Sequence, residues 1–100
     1  GGFRFDAAAE PERPPRFIAA ARIEATDFLV DLRAEEEAPL VRPHARRLPV
    51  AAFGPDGPRP AAGQRAVLCC RSGLRAWWAA ERLAAVWDGE IVLAALGAPD

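Results

Sequence analysis

The chain has 100 residues, a formal net charge of −1 and 51% apolar residues, which suit one domain with its own hydrophobic core. All 13 basic residues are Arg. Hydroxyl, imidazole and thiol side chains are few: Thr26, His44, Cys69, Cys70 and Ser72. Two adjacent Cys and one His cannot supply the ligands of a zinc or iron–sulfur centre, and Ser72 lacks the G-x-S-x-G context of a serine hydrolase.

The charge balance also limits the partners and the compartment. A net charge near zero argues against general nucleic-acid binding, and no apolar run is long enough to span a membrane. Two adjacent Cys do not form a disulfide framework, so we expect a cytoplasmic protein with a free thiol. Because the sequence contains no Met, we expect a domain cut from a longer chain, and we expect no bound cofactor.

The first third of the chain predicts an arm followed by a strand. Residues 1–16 carry three Pro and mixed charge, which is typical of an N-terminal arm or linker, so we expect the domain to comprise residues 17–100. Residues 17–25 have the composition of a short helix, although a strand is also compatible with them. Residues 28–32 form an apolar run closed by charges, which is typical of a strand buried on both faces. The acidic residues 34–38 predict one helical turn.

The middle of the chain is rich in Pro, Gly and Arg. Residues 39–49 are predicted to form a loop, residues 48–53 a short ordered segment, and residues 54–60 a surface turn. The loop carries three Arg side chains that we interpret as a solvated face, with a docking patch for an acidic protein as the alternative: Arg42, Arg46 and Arg47.

The last third predicts a strand, a helix and another strand. Residues 66–70 form a second fully apolar strand, and residues 71–74 a tight loop. Residues 75–87 predict a heavily buried helix whose three Trp belong to the core, with Gly89 suited to the left-handed cap position. Residues 91–93 predict a third buried strand. Buried strands that alternate with helical stretches indicate a small α/β domain, with a mostly parallel sheet flanked by helices.

Cys70 ends a buried strand and precedes a short loop and a helix, which is where α/β folds bind ligands. The loop N–H groups and the helix N-terminus can hold an anion there, and Arg71 and Arg75 add positive charge. Each of these features favours a thiolate, so we predict that Cys70 is the reactive sulfur. Cys69 points to the opposite face of the strand and is predicted to be a buried core thiol.

The sequence C-R-S-G-L-R at residues 70–75 resembles the active-site loop of rhodanese-like sulfurtransferases. The D-L-R at residues 31–33, with Glu37 four residues later, is similar to the D-V-R-x-x-x-E signature of that family. We interpret His44 as a remnant of the family's G-H-I-P-G-A stretch. The resemblance covers residues 27–95 and implies a rhodanese-like fold, with an abbreviated C-terminus.

The resemblance implies a cycle of sulfur transfer. Cys70 would attack the sulfane sulfur of a donor such as thiosulfate or a persulfide, become a persulfide and hand the sulfur to a nucleophilic acceptor. The six-residue loop from Cys70 to Arg75 has the length that the family uses for sulfur, whereas related phosphatases use one residue more. The short, Ala-rich form is similar to the rhodanese-like domains of ubiquitin-activating-like adenylyltransferases. That similarity implies a sulfur-carrier protein or a fused adenylyltransferase domain as the partner.

The loop residues are the candidates for binding a substrate or an anion: Arg71, Ser72, Gly73, Leu74 and Arg75. A local ion pair is the alternative role for Arg75, and a hydrogen bond within the loop is the alternative for Ser72. Gly73 supplies backbone freedom.

Three further polar residues have candidate roles around the loop. Asp31 and Arg33 end a strand near the expected active face, and we predict that they brace the loop as an ion pair rather than catalyse. His44 is either a general base or, as we expect, a solvated side chain.

The alternative function of the domain is a catalytically silent rhodanese-like docking module of a larger enzyme. A Cys-based phosphatase or arsenate reductase is disfavoured by the loop length and by the lack of a nearby general acid.

Overall fold

The apolar runs of the sequence form the strands of one sheet. The computed structural model describes residues 15–97. The strands are β1 (Arg16–Phe17), β2 (Phe28–Asp31), β3 (Arg46–Arg47), β4 (Ala66–Cys70) and β5 (Ile91–Ala95), and the α-helix is α1 (Leu74–Ala84). Single turns of 3-10 helix lie at Ala20–Arg22 and Val50–Ala52.

The five strands are ordered β1-β5-β4-β2-β3, and every neighbouring pair is parallel. The fold is therefore the predicted small α/β domain with a parallel sheet. β4 lies at the centre, and all five of its residues are buried. Because the strands are parallel, their carboxyl ends meet at one edge, and Cys70 stands in the middle of that edge.

Alternation along β4 divides the core into two layers. Leu68 and Cys70 face α1, in a cluster with Phe53 and Leu83. Val67 and Cys69 face the other side of the sheet, in a smaller cluster that includes Leu29, Ala45, Val92 and Ala94. The two neighbouring thiols are therefore separated by the sheet, as the alternation of side chains along a strand predicts.

Helix α1 packs on the sheet through three small residues and one Leu, all fully buried: Ala76, Ala79, Ala80 and Leu83. Their spacing of three and four residues forms one helical face, and the Ala side chains let the helix lie close to the strands. The prediction that the Trp residues belong to the core is wrong for Trp77 and Trp78, which are 37% and 48% exposed. Trp87 is partly buried against the core.

The end of α1 also differs from the prediction. The helix ends at Ala84 rather than at residue 87, and its C-cap, Ala85, has right-handed backbone angles. Gly89 has no positive φ. The small size of Gly89 serves a close approach instead, because a Cβ there would lie 2.1 Å from the Trp87 ring. The left-handed glycine of this region is Gly73, with φ of 96°, immediately before α1.

The segments predicted as short helices form less regular structure. Within residues 17–25 the chain has the end of β1 and one 3-10 turn, and residues 34–37 form a hydrogen-bonded turn. Most of the arm predicted for residues 1–16 lies outside the described residues, and Arg16 already belongs to β1. Among the described residues, no helix combines the length and the apolar character needed to cross a membrane.

Arg42 and the two residues of β3, Arg46 and Arg47, do not form one free basic face. Arg42 donates hydrogen bonds to the Val41 and Ala20 carbonyls, at 2.8 and 2.9 Å. Arg47 donates to two further backbone carbonyls of the loop after β2. Arg46 lies over the Phe28 ring, with 5.7 Å between its guanidinium carbon and the ring centroid. Arg42 and Arg47 therefore hold loops together, Arg46 is exposed as expected of a solvated side chain, and the docking patch stays a prediction.

Candidate functional site

Cys70 is the last residue of β4, and its side chain reaches back beneath the start of α1. Two backbone N–H groups donate to its sulfur, from Gly73 at 3.1 Å and from Ala76 at 3.4 Å. No part of Cys70 is exposed to solvent. Two N–H donors and the positive end of a helix dipole thus point at one thiol, and this arrangement stabilises negative charge on the sulfur.

The loop reaches this geometry because the first amides of a helix lack intrahelical partners. Ser72 Oγ accepts a hydrogen bond from Leu74 N–H at 3.2 Å, and the Cys70 sulfur accepts the one from Ala76. The first intrahelical bond runs from Trp77 N–H to the Gly73 carbonyl at 2.8 Å. The left-handed conformation of Gly73 turns its own N–H inward to the sulfur. Cys70 therefore caps α1.

Cys69 is the contrasting thiol. It is fully buried on the face away from α1. Burial, and then the nearby negative charge of Asp31, raises the pKa of Cys69 to about 12. Cys69 therefore stays a neutral core thiol at neutral pH, as predicted.

Arg75 is held in a bidentate ion pair with Glu37. Its Nη1 and Nη2 donate to the two carboxylate oxygens at 2.8 and 3.0 Å, and Nη1 also reaches the Leu32 carbonyl at 3.2 Å. Glu37, and to a smaller extent Cys70, raises the pKa of Arg75. In return the Arg75 guanidinium lowers the pKa of Glu37 to about 2. Of the two predicted roles of Arg75, the local ion pair is the one that the geometry shows.

Arg71 is the cation of the loop that faces solvent. It lines an open depression of about 480 Å³ together with Ser72, Arg75 and Gly97. Within residues 15–97, no side chain is hydrogen-bonded to its guanidinium. Ser72 and Leu74 are exposed beside it, whereas Gly73 is buried. The loop therefore presents one uncommitted positive charge next to a covered thiol.

Asp31 and Arg33 form the predicted ion pair on the other side of the sheet. Arg33 donates to both oxygens of Asp31, at 3.0 and 2.8 Å, and Asp31 also accepts from Val41 N–H at 3.0 Å. Burial acts to raise the pKa of Asp31, but the hydrogen bonds from Arg33 and Val41 outweigh it and lower the pKa. Because Asp31 accepts from Val41 N–H and Arg33 also donates to the Pro39 carbonyl at 2.9 Å, this ion pair braces the loop after β2 rather than the loop after Cys70.

His44 is exposed and lies apart from Cys70. It lies two residues before β3, at the amino end of that strand, whereas Cys70 lies at the carboxyl end of β4 in the same parallel sheet. The position agrees with the solvated side chain that we expected and leaves His44 no contact with the thiol.

Three parts of the site were not assigned from the sequence. The Ala76 amide was missed because a main-chain group has no residue signature, although its place in the first helical turn is a general signal. Glu37 was noted only as part of a motif, and its charge opposite to Arg75 was the available signal. Phe17, whose ring packs on Gly73, carries no signal in the sequence, because the contact joins an edge strand to a loop far along the chain.

Comparison of the chain with protein-family models, curated proteins and solved structures finds no match.

The Glu37–Arg75 pair predicts a specific pH dependence of stability. The pKa of Glu37 is near 4.5 in the unfolded chain and about 2 in the folded one, so folding favours the ionised form. The stabilisation is complete above pH 4.5 and is lost as the pH falls through about 2. In urea titrations, Glu37→Gln should be less stable than the parent chain at neutral pH, and the difference should shrink across that acidic window.

Glu36→Gln is the matched control, because it removes an exposed carboxylate from the same turn. A difference for Glu37→Gln that equals that of Glu36→Gln, or that persists unchanged at the acid end, would contradict the pairing.

Proposed function

We propose that this domain is a sulfurtransferase in which Cys70 carries sulfur as a persulfide. The observation that supports this most is the pair of N–H donors at the Cys70 sulfur, 3.1 and 3.4 Å away. Donors fixed in this way stabilise a thiolate before the reaction and an anionic persulfide after it. The resemblance of residues 70–75 to the rhodanese-like loop points to the same chemistry.

The first half of the cycle is a nucleophilic displacement at sulfur. The Cys70 thiolate attacks the sulfane sulfur of thiosulfate, an S–S bond to Cys70 forms, and sulfite leaves with the electron pair of the broken bond. In the second half, an acceptor nucleophile attacks the outer sulfur of the persulfide and regenerates the thiolate. No net oxidant or reductant is needed, and one thiol suffices for both halves.

Arg71 suits the recognition of an anionic donor. Its guanidinium borders the open depression beside the loop, and Ser72 Oγ lies at the same rim. A sulfonate group of thiosulfate would take charge-assisted hydrogen bonds from Arg71. Arg75 is bound to Glu37 and contributes its charge to the field around Cys70 rather than a free donor.

A docking module without turnover is the second candidate. The burial of Cys70 favours it, since a covered thiol does not meet a donor. Leu74, Trp77 and Trp78, which are large and exposed, also give α1 an apolar outer face suited to protein contact.

In either case the partner that the resemblance implies is a sulfur-carrier protein or a fused adenylyltransferase domain. Two free thiols suit the reducing cytoplasm.

The direct test is sulfur loading of the thiol. The chain is incubated with thiosulfate, and separately with a low-molecular-weight persulfide, and its intact mass is measured. We expect one added sulfur in the parent chain and in Cys69→Ser, none in Cys70→Ser, and release of thiocyanate when cyanide is added.

The two functions give different results in this assay. An adduct that persists in Cys70→Ser would refute Cys70 as the carrier. The absence of an adduct with every donor would favour the docking module, and an adduct that cyanide does not remove would show reactivity without transfer.

A second test addresses the anion site. Arg71→Ala should raise the KM for thiosulfate about tenfold with a much smaller change in kcat, because a charge-assisted hydrogen bond to the donor is lost. Arg22→Ala removes an equal charge from an exposed position of the 3-10 turn at residues 20–22 and serves as the control. Equal KM values for the two variants would contradict a binding role for Arg71.

A further inference from the structure

The loop residue that holds the Cys70 thiol, Gly73, is in contact with Phe17 from the edge of the sheet, a side chain that is 50% exposed. The Phe17 ring lies against Gly73, and a Cβ at residue 73 would meet the Cε2 and Cζ atoms of that ring at 2.7 and 2.9 Å. Gly73 is itself buried and donates its N–H to the Cys70 sulfur. Only a backbone without a side chain therefore separates the ring from the amide that holds the thiol.

The strand that carries Phe17, β1, is held only weakly at the edge of the sheet. β1 has only two residues, both exposed, and pairs with β5 at the outer edge of the sheet. Its side-chain ion pair, Arg16 to Glu90 at 3.2 Å, is 66% and 55% exposed and so contributes little stability. Short, exposed edge elements open at a fraction of the free energy of global unfolding.

Helix α1, which also packs on Cys70, is held much more firmly. Above Cys70, helix α1 presents side chains with no exposed surface, among them Ala76, Ala80 and Leu83. Lifting the helix would expose this whole face and would also remove the Ala76 hydrogen bond to the sulfur. Moving β1 together with Phe17 therefore requires less free energy than moving α1.

We propose that Phe17 is the gate of the Cys70 thiol. With β1 paired to β5, the ring holds Gly73 against the sulfur and closes the site; when β1 moves away, a reactant reaches the sulfur. The biological role of the gate rests on the proposed sulfur transfer, because that reaction requires the buried thiol to meet a donor. The gate itself concerns access alone and applies to any thiol reagent.

The test is the alkylation rate of Cys70 in the whole chain, with Cys69→Ala in every sample so that one thiol reports. Neutral iodoacetamide is the probe, and intact mass is the readout. Phe17→Ala should raise the rate about tenfold. Phe17 is 50% exposed, so the closed state loses about half of the stabilisation that a fully buried Phe side chain gives. Phe17→Leu keeps an apolar cover and should stay within about threefold of the parent. The control, Trp78→Ala, removes an exposed ring that the gate does not use and should stay within about twofold.

Urea separates a gate from a merely stabilising contact. Local opening exposes little surface, so below the unfolding transition the alkylation rate of Phe17→Ala should depend only weakly on urea. A rate that follows the urea dependence of global unfolding, or one no faster than that of Trp78→Ala, would overturn the gate.

The two proposals fail separately. Faster alkylation of Phe17→Ala with no sulfur adduct from any donor would leave the gate standing and remove the sulfurtransferase. Sulfur loading of Cys70 with an unchanged alkylation rate in Phe17→Ala would do the reverse.

Discussion

The hydrogen bonds to the Cys70 sulfur connect the three parts of the site. They tie the end of the central strand to Gly73 in the loop and to Ala76 in the first turn of α1. The amide of Ala76 has no partner within the helix, so the thiol provides what a Ser or Asp cap provides elsewhere. The same contacts that begin the helix therefore prepare the sulfur for negative charge. Under the proposed function, these contacts would let a site with so few polar side chains carry nucleophilic chemistry.

The Arg side chains around the site differ in whether they are bound to other protein groups. Most of the Arg side chains near the sheet bind backbone carbonyls or carboxylates, as Arg47 does in the loop after β2 and Arg82 does at the Phe53 carbonyl. The planar fork of Arg, which Lys lacks, suits these contacts with two acceptors. Arg75 follows this use through Glu37, which leaves Arg71 to face the depression. Most of these Arg side chains therefore hold loops together.

The sequence predicts the sheet better than it predicts the surroundings of the site. Continuous apolar runs identify β2, β4 and β5, and the alternation along β4 separates Cys69 from Cys70. The many Ala residues of α1 give a weak helical pattern that does not predict which face is buried, and the size of Trp77 alone favours the core, although Trp77 is 37% exposed. The contact between Phe17 and Gly73 and the face occupied by Asp31 depend on contacts between distant segments, which local patterns do not encode.

The central feature of the site is that the Cys70 sulfur accepts hydrogen bonds from the Gly73 and Ala76 amides. Amide hydrogen exchange measured residue by residue by NMR tests it without reference to any substrate. In Cys70→Ala, both amides should exchange at least about tenfold faster than in the parent chain, because each loses its acceptor. In Cys69→Ala, a matched loss of one sulfur on the other face of the sheet, they should be unchanged. Equal protection of both amides in the two variants would contradict the account.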